Sequence, residues 1–308
     1  MDKEKIISII KLGRLIIHAV ILVYLLGALL AVVVGANFNV YKLTFVYVIL
    51  FTGTLSAMYN NNYNDVDIDR NSTQTFFSGG SRILVEHPEL MKVVKQLSIF
   101  FLCLSIFLGF VSLIIFSYPI TFFLFVLFGN LAGWYYTAPP IKLIYRGFGE
   151  IGTMIAAGFI IPGLGYFAIA GRIDAPFVFL LIPLLFYGFG VSFYLEIPDR
   201  EADRKGNKNT LVVRKGLSFG FMLGAVSSFF ATLCFLIYGL FNFTSGDINY
   251  LLVTLFSIIP LYFCFGSLVK YKVDKKNINA LAYRSAASMF LFYILLIGYF
   301  FSIIIFRL

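Results

Sequence analysis

Two short stretches carry the residue types that could hold a divalent cation against phosphate. The first, Asn60-Asn61-Asn62-Tyr63-Asn64-Asp65-Val66-Asp67-Ile68-Asp69-Arg70, turns abruptly polar after the apolar run from Tyr47 to Met58. Asn61, Asp65 and Asp69 recur at i, i+4 and i+8, which on a continuous helix puts them within about 80° of one another on one face. The second, Glu196-Ile197-Pro198-Asp199-Arg200-Glu201-Ala202-Asp203, follows the apolar run from Phe177 to Leu195. It spaces Glu196, Asp199 and Asp203 at i, i+3 and i+7, again roughly one face. Carboxylates this close repel one another unless they share a cation. Mg²⁺ suits them, because it takes hard oxygen ligands and is commonly held by a few carboxylates plus substrate phosphates. The two stretches are therefore expected to face each other and to hold metal on a diphosphate. Taken singly, either could be a solvated loop paired with Arg70, Arg200 and Arg204; two on matching sites favour the metal reading. Asp67 and Glu201 lie off the two faces and read as solvated.

Cations stand near both stretches. Arg82 ends Ser78-Gly79-Gly80-Ser81-Arg82, Lys142 and Arg146 follow Tyr135-Tyr136-Thr137-Ala138-Pro139-Pro140, and Lys208 lies just after the second acidic stretch. Each can reach phosphate oxygens through charge-assisted hydrogen bonds. The Gly79-Gly80 pair could turn the backbone tightly around an anion. Of the 37 Phe and 19 Tyr, Tyr63, Tyr135, Tyr136 and Tyr194 fall where they could line a pocket, Tyr136 being the substrate contact of choice. Aromatic faces stabilise a nearby cation, as an allylic centre would require. His18 and His87 have no partner at ligand or triad spacing. Cys103, Cys234 and Cys264 lie in apolar segments and read as small buried hydrophobes.

The elements that must position these groups are apolar helices. The chain has 308 residues, 60% hydrophobic and 13% charged, against roughly 25% charged in soluble domains. Apolar runs of about 20 residues recur from end to end, so an all-α, polytopic membrane protein is expected. Nine spans are expected, near 15–35, 41–60, 94–116, 119–137, 148–170, 176–195, 217–241, 249–269 and 283–305. Of 24 Lys and Arg, all but Lys42, Arg172 and Arg307 fall in one alternate set of the segments between spans. That asymmetry predicts a cytoplasmic N-terminus and puts both acidic stretches on the cytoplasmic side of a cell membrane. It also argues against nucleic acid as the partner of a chain with net charge +9, because the cations are confined to short gaps. No cleaved signal peptide is read at the N-terminus. The acidic stretches close the second and sixth spans, which suggests a single transmembrane domain of two four-helix repeats (15–137 and 148–269) plus a ninth helix.

With both stretches in view, the chain resembles the UbiA superfamily of intramembrane prenyltransferases. The family's first motif, Asn-Asp-x-x-Asp-x-x-x-Asp, reads here Asn61-Asn62-Tyr63-Asn64-Asp65-Val66-Asp67-Ile68-Asp69, with Asn62 replacing one Asp. The second, Asp-x-x-Asp-x-x-x-Asp, reads Glu196 to Asp203, with Glu196 keeping a carboxylate. The Tyr-Thr-Ala-Pro-Pro segment and Lys208-x-Thr210-Leu211 are also similar. The resemblance implies transfer of a prenyl group from an isoprenyl diphosphate to a lipophilic or aromatic acceptor, among membrane lipid. It implies that Asp65, Asp69, Asp199 and Asp203, helped by Asn61 and Glu196, hold about two Mg²⁺ on the diphosphate. Arg82, Lys142, Arg146 and Lys208 would neutralise the rest of its charge. The segment 75–82 lacks the Arg-Pro pair of the 4-hydroxybenzoate and haem branches and looks closer to the menaquinone branch using dihydroxynaphthoate. A membrane transporter, or a non-catalytic lipid-binding protein, is the alternative. A transporter would place ionisable groups near mid-membrane, whereas these acids cluster at one surface.

Overall fold

Runs of Leu, Ile, Val and Phe free of charge leave a backbone in hydrocarbon one local way to satisfy its N–H and C=O groups, the helix. The computed structural model describes residues 3–13, 16–70, 81–241 and 248–307, without the side chains of residues 3 and 16–19. Arg14, the His18 side chain and the Gly79-Gly80 pair, with the rest of 71–80, lie outside what is described. Within it the chain forms helices and turns only. They are α1 (Lys3–Leu12), α2 (Ile16–Val33), α3 (Val40–Asn64), α4 (Met91–Ile115), α5 (Ile120–Trp134), α6 (Gly149–Ala170) and α7 (Ala175–Glu196). Two short helices, α8 (Arg200–Lys205) and α9 (Leu211–Lys215), precede α10 (Leu217–Phe241), α11 (Tyr250–Val273) and α12 (Ile278–Arg307). Seven of these, α3, α4, α6, α7, α10, α11 and α12, are long and apolar enough to cross a membrane. α2 and α5 are apolar but shorter. The protein is a multi-pass membrane protein.

Helix starts follow side-chain caps. Asn39 accepts from the Lys42 amide at 3.0 Å to open α3, and Asn249 accepts from the Leu252 amide at 3.1 Å to open α11. α6 widens to a π turn over Ala156–Ile160, just before Pro162, whose missing N–H cannot continue a regular ladder. The helices are apolar on all sides, as lipid on one side and neighbours on the other demand. Phe107, Ile114 and Leu255 point outward, while Phe122, Tyr166, Phe177, Phe235 and Phe292 fill the interior. Small and hydroxyl residues bring helices together: Ser56 donates to the Ser98 carbonyl at 2.9 Å, and Ser105 to the Ile49 carbonyl at 2.9 Å. Gly27 of α2 faces α6 so closely that a Cβ there would lie 1.8 Å from the Pro162 carbonyl oxygen.

Candidate active site

Both acidic stretches fall where a long helix stops. α3 ends at Asn64, Asp65 leaves helical geometry (φ −99°, ψ 10°), and a single turn, Val66–Asp69, follows. α7 ends at Glu196, and Asp199 stands just ahead of α8. The continuous helical faces expected over 61–69 and 196–203 are therefore broken. In the second stretch Pro198 has no N–H with which to continue α7. In the first, short polar side chains compete for backbone groups. Asn64 donates to the Asn60 carbonyl at 2.8 Å, while Asn60 donates to the Trp134 carbonyl at 2.8 Å and so ties α3 to the end of α5.

The break turns the two stretches toward one ammonium. Lys208 Nζ lies 3.0 Å from Asp65 Oδ2 and 3.2 Å from Asp203 Oδ1. The other oxygen of Asp65 accepts from the Tyr145 hydroxyl at 2.6 Å. Beside them, Thr137 Oγ1 donates to Asn61 Oδ1 at 2.7 Å. The Asp65 and Lys208 side chains are each 13% exposed, so this is a buried charge cluster and not a surface salt bridge. Burial pushes the Asp203 carboxyl up to about 6, against the pull of Lys208. Burial alone would lower the Lys208 ammonium, but Asp65 and Asp203 outweigh it and hold it above the usual lysine range. Burial, and then the Asp65 charge, raise Tyr145, which stays a hydroxyl donor.

A strap after α8 delivers Lys208. Its amide bonds the Asp203 carbonyl at 2.9 Å, and the Asn209 amide bonds the Ile144 carbonyl at 3.2 Å. The Leu211 amide donates to the buried carboxylate of Glu150, at the start of α6. At Gly206 the strap meets the first motif, where a Cβ would sit 2.2 Å from Ile68 Cγ1. The 142–150 loop and the strap are thus joined, and together they bring Tyr145 and Lys208 to Asp65.

The remaining expected residues are distributed unevenly. Glu196 is buried beside the Glu150 carboxyl, and no N–H or hydroxyl donates to either of its oxygens. Asp69 is buried and Asp199 half-buried at the ends of the same two stretches. Tyr136 bonds Thr153 across 3.4 Å, within electrostatic reach of Glu196 and Lys208. Lys142 is exposed, its Nζ 5.1 Å from the Tyr145 ring centroid. Arg146 is exposed too and donates to the Pro140 carbonyl at 2.8 Å. Arg82 is half-buried with a left-handed backbone (φ 55°). Of the four expected cations, Lys208 is the one whose ion pairs join the two motifs. Tyr194 is buried in the helix core against Phe221, and Tyr63 lies under Lys95. Asp67 and Glu201 face solvent beside Arg70 and Arg200. Asn62, where the family motif has Asp, is buried and turned away: it donates to the Met58 carbonyl at 2.8 Å and accepts from Ser81 at 2.9 Å.

Among the described residues no three His, Cys, Asp or Glu side chains are gathered as a metal site. The residues nonetheless fit a cation. Carboxylates from both motifs already converge on one, the Lys208 ammonium, and the buried Glu196 and Glu150 carboxyls lie side by side, an arrangement that a shared cation relieves. This all-oxygen donor set is of the kind Mg²⁺ takes.

The model of the UbiA prenyltransferase family matches residues 20–295. The chain belongs to that family. It is 26% identical over 156 residues to a 1,4-dihydroxy-2-naphthoate octaprenyltransferase of Bacillus subtilis (strain 168). That match takes in 51% of this chain, and the chain spans about half (49%) of the length of that curated relative. The fold is similar to that of a UbiA homolog from Archaeoglobus fulgidus solved bound to DMAPP and Mg²⁺, with a TM-score of 0.70, 17% identity, and 94% and 97% of the two chains covered. The apo UbiA homolog of Aeropyrum pernix K1 is similar over 92% and 97%, with a TM-score of 0.65 and 12% identity.

Three side chains not singled out from the sequence stand at this candidate site: Tyr145, Thr137 and Glu150. Glu150 carried a signal, being a carboxylate at the mouth of an apolar span, where ionisable groups are costly. Tyr145 carried little, since its partner Asp65 lies 80 residues away in the chain.

Proposed function

We propose that this UbiA-family protein transfers a prenyl group from an isoprenyl diphosphate to a lipophilic aromatic acceptor of the dihydroxynaphthoate kind. The observation that carries the reading is the convergence of Asp65 and Asp203, one from each motif, on a single buried ammonium at the end of an apolar bundle. Asp65, Asp69, Asp199 and Asp203, with Asn61 and Glu196, would hold about two Mg²⁺, which supply charge neutralisation to the departing diphosphate. Lys208, which stands between Asp65 and Asp203, would offer its ammonium to a diphosphate oxygen. Tyr145 fixes one oxygen of Asp65 and so sets the direction of the other. Lys142 and Arg146, both exposed, would meet the incoming diphosphate, and the half-buried Arg82 would add a further cation. The allylic C–O bond breaks with its electron pair going to the diphosphate. A ring carbon of the acceptor then bonds to that carbon, and the ring's proton passes to the departing diphosphate. To become a naphthoquinol, a naphthoate acceptor also sheds its carboxylate as CO₂, with a proton taking its place. Tyr136, which meets Thr153 within electrostatic reach of Glu196 and Lys208, would face the acceptor in surroundings that exclude bulk water.

We read α2 and α5 as crossing the membrane with the seven longer helices, giving nine spans, a cytoplasmic N-terminus and a cytoplasmic site. In this reading α2–α5 and α6–α11 hold the two repeats, and α12 stands alone.

Purified protein given radiolabelled geranylgeranyl diphosphate and dihydroxynaphthoate should form a prenylated naphthoquinol only when Mg²⁺ is added. Asp65→Ala should lose at least about 30-fold in turnover, as removal of a key charge-stabilising group does. Metal-independent product, or near-normal turnover of Asp65→Ala, would remove the two-motif metal site from the mechanism. Diphosphate release without naphthoate product would leave the metal site and discard the acceptor.

A further inference from the structure

The helices that end in the two acidic stretches begin together at the other end of the bundle, around a polar cavity. It has a volume of about 490 Å³ and lies between the 34–39 turn and the 169–176 turn. α3 has 25 residues, which at 1.5 Å per residue separates this cavity from Asp65 by about 37 Å. It is therefore not part of the site described above.

Its charges are the unusual feature. Only Lys42, Arg172 and Arg307 fall in the cation-poor set of segments, and all three come to this one place. Lys42 and Arg172 line the cavity. Arg307, at the end of α12, donates to the Val33 carbonyl, next to the lining residue Val34. Asp174 also lines it, but its oxygens are engaged: Arg172 Nε donates to Oδ2 at 2.7 Å, and the buried Tyr166 hydroxyl donates to Oδ1. Lys42 has no carboxylate partner among the described residues; its Nζ sits 5.3 Å from the Tyr118 ring centroid. The ionised lining side chains, Lys42, Arg172 and Asp174, therefore sum to one positive charge. Asn39 gives its Oδ1 to the Lys42 amide and keeps its NH₂ as a donor. Two helix N-termini (α3, α7) and two C-termini (α2, α6) meet here, so backbone dipoles roughly offset and side chains set the sign.

We propose that this cavity binds a phosphate group, with Lys42 and the guanidinium of Arg172 as its cationic contacts and Asn39 as a neutral donor. The chemistry is that of a phosphodiester headgroup or of free phosphate. A cation that serves only as an interfacial anchor would snorkel without preference among lipids. Phosphatidylcholine carries the same phosphodiester but adds a choline cation, which a lining with one net positive charge disfavours, so a phosphate site here prefers the anionic lipid.

The full-length protein in neutral detergent is titrated with short-chain phosphatidylglycerol, phosphatidylcholine or inorganic phosphate, and bound ligand is counted by native mass spectrometry. Phosphatidylglycerol should bind at least about tenfold tighter than phosphatidylcholine, and Lys42→Gln with Arg172→Gln should abolish the difference, as loss of charged hydrogen bonds does. Asp65→Asn, at the other end, should leave it unchanged. Competition by phosphate alone at similar concentration would identify a free-anion site, whereas its failure to compete would identify a lipid site. If the double variant does not fold, Lys42→Gln, which leaves the Arg172–Asp174 pair intact, carries the same test. A folded variant that keeps the full preference, or wild-type protein with no preference for any of the anions, would overturn the proposal.

Discussion

Lys208 brings one ammonium to carboxylates that lie 143 and 5 residues away in the chain, and its removal exposes what they were arranged for. In Lys208→Met, Asp65 and Asp203 face each other buried and without their shared cation. Removing one partner from a buried charge pair costs about 3–5 kcal/mol. The unfolding midpoint should fall in Mg²⁺-free buffer and recover substantially in millimolar Mg²⁺. Equal falls with and without the metal would mean that these carboxylates do not take it. Asp203 adds a pH dependence. Its folded pKa of about 6 lies above the ordinary carboxylate value of about 3.9. The folded protein thus binds this proton more readily than the unfolded chain, so metal-free stability falls as pH rises from about 4 to 6. The protonated acid is a poor ligand, so the Mg²⁺ concentration for half-maximal turnover should rise below pH 6, by about tenfold per pH unit if one deprotonation is required. A half-saturation constant that is flat from pH 8 to 5 would exclude Asp203 as a ligand. At this scale the acids and Lys208 were legible, because unlike residue types interrupt an apolar background. Tyr145 and Thr137 were not, since a hydroxyl next to a turn signals nothing until the fold supplies its partner.

The elements that matter most here are the short ones. The strap 206–211 and the turn 66–69 touch at Gly206 and Ile68, where a Cβ would sit 2.2 Å from Ile68 Cγ1. Gly206→Ala should therefore push the two motifs apart and lower turnover sharply, while the long helices, remote from the contact, keep their unfolding behaviour. Combining it with Ile68→Ala, which clears the space, should restore part of the activity. A double-mutant cycle with no coupling would show that the contact does not set the spacing. The long helices could be read from hydrophobic runs to within about a turn. Their interruptions could not: a period of 3.6 passes straight through Asn64–Asp65 and Glu196–Asp199. What ends the helices is local competition from Asn side chains in one case and the missing N–H of Pro198 in the other. Those interruptions let Asp65 and Asp203 turn toward a neighbour instead of stacking with the rest of their motifs along one face.

At the scale of the whole molecule, polar chemistry is confined to the ends of an apolar bundle. Alternation of Lys and Arg between segments predicts which ends share a side. Single cysteines in place of Lys5 and Lys272, in a background lacking the native thiols, should react with a membrane-impermeant maleimide from one side of sealed vesicles. A cysteine in place of Phe38, at the other end of α3, should react from the opposite side. Labelling of all three from one side would overturn the nine-span reading. The siting of both acidic stretches where α3 and α7 stop has a further consequence, one of partition. A prenyl diphosphate split at that boundary yields fragments that prefer different phases. The diphosphate dilutes into water and the alkylated product into lipid, and neither medium returns its fragment readily. In the proposed reaction, reversal would need two rare encounters at once, one from each phase, so partition would add to the bond energies in sustaining the forward direction.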